Sequence, residues 1–228
     1  MNLQSVLQAS SAPKANLGQL YTDPHGNLWQ YGKDSGSAST KGYNQSRAAI
    51  VGVDTVSSST NGNEQIVFIT EASAGWTVGA YAEDWVVVDD GTGSGQVGRI
   101  KDNSADTLEL YSEYAFATAL AVATSDITIG RPHKLATTAA AVITHTIGTV
   151  QVTQTASYYV WVLVRGIGLG IGDTAPTAGL LITPSGATAG ECIVATTAAA
   201  DDVNNIGYSI TPSATDSQGG LYAFAHQK

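Results

Sequence analysis

The sequence predicts an all-β protein made of antiparallel β-sandwich or barrel-like units behind a flexible N-terminal arm. Three observations carry that prediction. Trp85 to Leu110, WVVVDDGTGSGQVGRIKDNSADTLEL, reads as three short strands joined by turns rich in Gly, Asp and Asn. Gly18 to Lys33, GQLYTDPHGNLWQYGK, reads as a hairpin. Strand candidates then recur about every ten residues between Gly, Pro and Asp turns, the rhythm of a sandwich or barrel. A three-stranded meander cannot stand alone in water, so the flanking segments must cover its apolar face.

Composition narrows the function classes. Ten basic against 19 acidic residues give a formal charge of −9, and no basic cluster occurs. Nucleic acid is therefore not an expected partner, because phosphate binding needs clustered Lys and Arg. No stretch approaches the roughly twenty apolar residues of a membrane-spanning helix, and Met1 to Leu17 lacks the basic-then-apolar pattern of a secretory signal. The expectation is a chain made in the cytoplasm with no membrane partner. The single Cys192 lies in the apolar run Cys192-Ile193-Val194 and has no internal partner for a disulfide. It is expected to be a buried, inert thiol.

Taken in order, residues 1–16 form the arm, 17–135 a first β domain and 136–228 a second. Leu3, Val6 and Leu7 have i, i+3, i+4 spacing, which fits a short helical turn docked on a neighbouring subunit. In the hairpin, Leu20 to Thr22 and Leu28 to Tyr31 flank a turn in which Pro24 presets its own φ and Gly26 allows φ above zero. His25 in that turn has no further donors at metal-ligand spacing and reads as an exposed turn residue. Asp34 to Tyr43 is a Ser/Gly surface loop. Ala48 to Asp54 and Gln65 to Thr70 are strands separated by the polar stretch SSSTNGNE. Tyr111 to Asp126 is a helical turn or an extended crossover, and Asp126 to Ile129 is the strand that closes the first domain.

Ala136 to Ala141 reads as a connector, and Ile147 to Ala156 as a strand. SYYVWVLVR, Ser157 to Arg165, is apolar on both faces and so should be central and covered on both sides. From Gly166 to Gly172 glycine alternates with Ile or Leu. In extended chain that makes one face large and apolar and leaves the other bare, so something must pack close to Gly166, Gly168 and Gly170. Another strand of the same subunit or a symmetry mate would serve. The spacing misses the dinucleotide fingerprint, and no cofactor is expected. Leu180 to Thr183, Glu191 to Ala195, Ile206 to Thr211 and Leu221 to Ala225 complete the strands.

Catalytic groups are sparse. His25, His133, His145 and His226 stand in unrelated contexts, and neither a Gly-x-Ser-x-Gly elbow nor a His-Glu-x-x-His helix occurs. The acidic pairs Glu83-Asp84, Asp89-Asp90 and Asp201-Asp202 lie at turns and read as solvated turn residues rather than as a glycosidase pair. Trp29, Trp76, Trp85 and Trp161 adjoin apolar strands and read as core rather than as a sugar-stacking platform. A non-enzymatic protein is expected.

Three segments in order, LGQLYTDPHGNLWQYGK, then WVVVDDGTGSGQVGRIKDN with LEL, then Tyr159 to Gly166 with the later Asn205-Ile206-Gly207-Tyr208, give the chain its resemblance. It resembles tailed-bacteriophage virion structural proteins, in particular capsid decoration (cement) proteins. The resemblance implies an oligomer, a trimer, on the outer capsid surface of the virion, with the major capsid protein as partner. It supplies no catalytic residues. The arm and the turns near Pro24 and Gly91 to Gly95 are then the expected contacts. The alternative is a tail- or fibre-associated module that binds glycan; a virion hydrolase ranks third.

Overall fold

The computed structural model describes residues 5–36, 38–47, 51–53, 58–62, 65–137, 146–173, 176–195, 205–211 and 218–225. Leu3, His145, Asp201, Asp202 and His226 lie outside them. The first strands are β1 (Leu20–Thr22), β2 (Leu28–Asp34) and β3 (Asn44–Arg47). Next come β4 (Val51–Val53), β5 (Ser58–Gly62), β6 (Gln65–Thr70), β7 (Trp85–Asp90), β8 (Val97–Asn103), β9 (Thr107–Leu110) and β10 (Asp126–Gly130). The last are β11 (Lys134–Thr137), β12 (Thr146–Val150), β13 (Tyr159–Gly172), β14 (Leu181–Pro184), β15 (Cys192–Val194), β16 (Gly207–Ser209) and β17 (Gln218–Ala225). The protein is all-β, as the turn spacing predicts. Between Tyr111 and Asp126 the backbone makes one 3-10 turn, Ser112–Tyr114, and is otherwise non-helical.

The chain does not divide linearly at residue 135. Met1–Ala48 and His133–Lys228 form one unit, and Ala49–Pro132 form a second, inserted unit. The insertion has a simple cause. β11 pairs with both β2 and β3, and β13 pairs with β2, so the chain after residue 133 completes the sheet begun before residue 48.

In the first unit, β2, β11, β3, β12 and β13 are paired in succession, and β13 closes back on β2, which makes a five-strand barrel. β13, β15, β14, β16 and β17 follow one another in the same way and close through the β13–β17 ladder, with a single parallel pair, Gly172 and Cys192, at the other junction. The 14-residue β13 is therefore shared by both rings. Its first half is covered on both sides, as its apolar run requires. Trp161 and Leu163 pack with Trp29, Tyr31, Tyr222 and Phe224, while Val160 and Val162 pack with Leu135 and Val150.

The second unit is an antiparallel seven-strand sheet in the order β4-β10-β7-β8-β9-β6-β5. The meander β7–β8–β9 lies at its centre, and Val86, Val88, Ile100, Leu108 and Leu110 fill its core with Ile127 and Ile129 of β10. The polar separator SSSTNGNE supplies β5, which pairs with β6. Trp29, Trp76 and Trp161 are buried, whereas Trp85 is half-buried against Tyr114, their rings 5.4 Å apart. Asp89 and Asp90 are exposed, but Glu83-Asp84 is not a solvated turn pair. Asp84 is buried, and its Oδ2 accepts from Arg131 Nε at 3.2 Å.

Candidate functional site

The arm lies along its own unit where it is described. Ser10 and Tyr159 exchange backbone hydrogen bonds, Lys14 N–H donates to Tyr31 Oη at 2.9 Å, and Val6 and Ala15 pack against the aromatic core. Residues 6 and 7 form a turn rather than a helix, and this directs Val6 inward and leaves Leu7 exposed. Among the described residues of that spacing, Val6 therefore serves intramolecular packing and Leu7 is offered to solvent.

The hairpin turn is organised by Asp23. Its Oδ1 accepts from the N–H of His25 at 2.9 Å and of Asn27 at 3.0 Å; its Oδ2 accepts from Asn27 Nδ2 at 2.8 Å and Trp29 Nε1 at 3.1 Å. Burial on its own would raise this carboxyl. The four hydrogen bonds favour the charged form, outweigh burial and hold it at about 2. Pro24 and His25 sit exposed at the tip. Asn27 then reaches across to β13 and accepts from Ile167 N–H at 3.1 Å, so the turn at Pro24 and the glycine run share one neighbourhood.

The bare face of that run is filled by the chain itself. A Cβ added at Gly166 would meet Asn27 Oδ1 at 2.1 Å, one at Gly168 Leu163 Cδ2 at 2.5 Å, and one at Gly170 the Tyr222 ring at 2.6 Å. The register of β13 against β2 shifts between Leu163 and Arg165, and Gly166 has a φ of +132°. This bulge reverses the alternation of the strand. Odd residues Trp161 and Leu163 point into the core before it; even residues Gly168 and Gly170 do so after it.

Consequently Ile167, Leu169 and Ile171 face the other way. Leu169 and Ile171 are half-covered beneath Gly42, where a Cβ would lie 2.9 Å from Ile171 Cγ1. Ile167 is 57% exposed, and the pairing continues its row outward through Ala223 and Tyr208 to Leu181. Tyr208 is 49% and Leu181 53% exposed, with Leu221 41% exposed in the next row. Four adjacent strands thus present one contiguous apolar face. Of the described residues in those strands, Arg165 is the single charged one. The alternation in the sequence supplies the large face, but its direction depends on the bulge, and the contributions of Leu181, Tyr208 and Leu221 depend on register between distant strands.

Cys192 is buried in the first unit. Burial pushes its thiol up to about 12, against the opposing effect of Asn44 Nδ2, which donates to Sγ at 3.1 Å. Among the described residues no group of three or more His, Cys, Asp or Glu is placed to hold a metal ion. The chain matches no protein-family model, no curated protein and no solved structure.

Proposed function

We propose that the protein is a non-enzymatic virion structural protein, a capsid decoration (cement) protein that binds the outer surface of the major capsid lattice as an oligomer and stabilises the head. One observation carries the reading. Large aliphatic side chains cover an outward sheet face whose inner side is already filled, an arrangement that makes sense when another protein surface covers it. A protein that binds only the assembled lattice stabilises it by mass action, multiplied over many sites.

Cosedimentation of the purified protein with expanded heads stripped of their native copy tests this. Saturable binding at a fixed ratio to the major capsid subunit is the expected result; recovery in the supernatant at all protein concentrations contradicts it. A glycan-binding tail module is the second reading. It is favoured only by the half-buried Trp85 beside Tyr114 and Arg99, and specific retention in a glycan screen that Trp85→Ala abolishes would support it.

A further inference from the structure

We propose that the apolar face of Ile167, Leu181, Tyr208 and Leu221 meets a second copy of this chain around a rotation axis. The inference rests on the oligomeric part of the reading above and names the surface that makes the oligomer. Of the two neighbours the sequence allows for the bare glycine face, the structure supplies the same subunit rather than a symmetry mate. The bare side lies against Asn27, Leu163 and Tyr222 of the same chain, so the large side is the one left for a neighbour.

The lack of charged side chains among the described residues of the row through Ile167 lets a second copy be its occupant. Two chains that each carry −9 repel, and that repulsion is least where they meet on an uncharged surface. The row Ile167, Ala223, Tyr208, Leu181 has no formal charge, so it can lie opposite its own image without placing like charges together. Arg165, in the adjoining row opposite Ala225, is exposed and has no ion pair among the described residues. At the rim it is positioned to meet an acidic side chain of the neighbouring copy.

The apolar area of the face is also substantial. The four side chains expose on the order of 400 Å², within the range of the largest apolar patch on an ordinary monomer. Two such faces buried together remove about 800 Å² from water, so a polar rim of a few hundred Å² around them completes the roughly 1,000 Å² of a specific interface.

Sedimentation equilibrium of the full chain, alone and as Ile167→Asp and Leu181→Asp, tests the assignment. The wild type is expected to assemble, and each variant to raise the concentration for half-assembly by roughly tenfold or more. Val97→Asp, at an exposed site in the other unit, is expected to assemble like the wild type. A wild type that stays monomeric throughout, or charged variants that assemble unchanged, overturns the proposal. Should an aspartate variant lose its near-ultraviolet circular dichroism, Ile167→Cys replaces it. With Cys192 buried, a bismaleimide reagent should then link copies through position 167, and the absence of any intermolecular product overturns the proposal. The head-binding assay separates the two readings. Monomers that still bind heads sink the self-contact and leave the cement role standing, whereas face-dependent oligomers that ignore heads do the reverse.

Discussion

Asn27 closes over Gly166: its side-chain oxygen occupies the space a Cβ on that glycine would need and accepts a hydrogen bond from the next residue, Ile167. Through this contact the hairpin turn holds the bulge that sends Ile167 outward. Two segments 139 positions apart therefore decide together which face of β13 the solvent meets.

Gly166→Ala is expected to destabilise the protein by about 3 kcal/mol, combining backbone strain at positive φ with overpacking against Asn27. Denaturant unfolding measures it. An unchanged midpoint would mean that neither the φ of +132° nor the 2.1 Å approach constrains the native chain.

Asp23→Ala should cost about 1–2 kcal/mol at neutral pH, because a charged acceptor of four hydrogen bonds is lost. The carboxyl is held at about 2, below its ordinary 3.8. Its contribution is therefore complete above pH of about 4 and disappears as pH falls through about 2. Unfolding curves of wild type and variant should converge across that window, and a gap that stays constant down to pH 2 would refute the assignment.

Arg131→Ala should destabilise the inserted unit by about 3 kcal/mol, since it deprives the buried Asp84 of its cationic partner. The paired change Arg131→Met with Asp84→Leu should cost less than the single one, because no buried charge is then stranded. Thermal unfolding of the three proteins gives the comparison.

Native protein should resist thiol alkylation at pH 8. The Cys192 thiol is buried and pushed up to about 12, so little thiolate forms. Full labelling in guanidinium and almost none without it is the expected pattern; rapid native labelling would contradict the burial.

What local sequence determined was local structure. Asp23, Pro24 and Gly26 specify the hairpin turn between immediate neighbours, and the β7–β8–β9 meander forms from strands that follow one another directly. The run Tyr159 to Val164 likewise carried enough apolar, β-branched character to mark a strand covered on both sides. Alternating Gly with Ile and Leu made two unlike faces visible. Polar strands left no such signal. Asn44 and Gln45 of β3 are buried with side-chain hydrogen bonds to Thr149, Glu191 and Ser39, partners that no local periodicity reveals, while Gln45 Oε1 is left without one among the described residues. Asp84, with the look of a turn residue, is buried likewise, its cation lying 47 residues away.

Tertiary structure alone decided the ring closures, the insertion of the second unit and the outward turn of Ile167. Each depends on pairing between segments far apart in the chain, such as Lys33 with Lys134 and Tyr159. Propensity and alternation act over a few residues and specify that two faces exist. Which face becomes the interior is settled only when a distant side chain, here Asn27 or Tyr222, takes up the space beside the glycines.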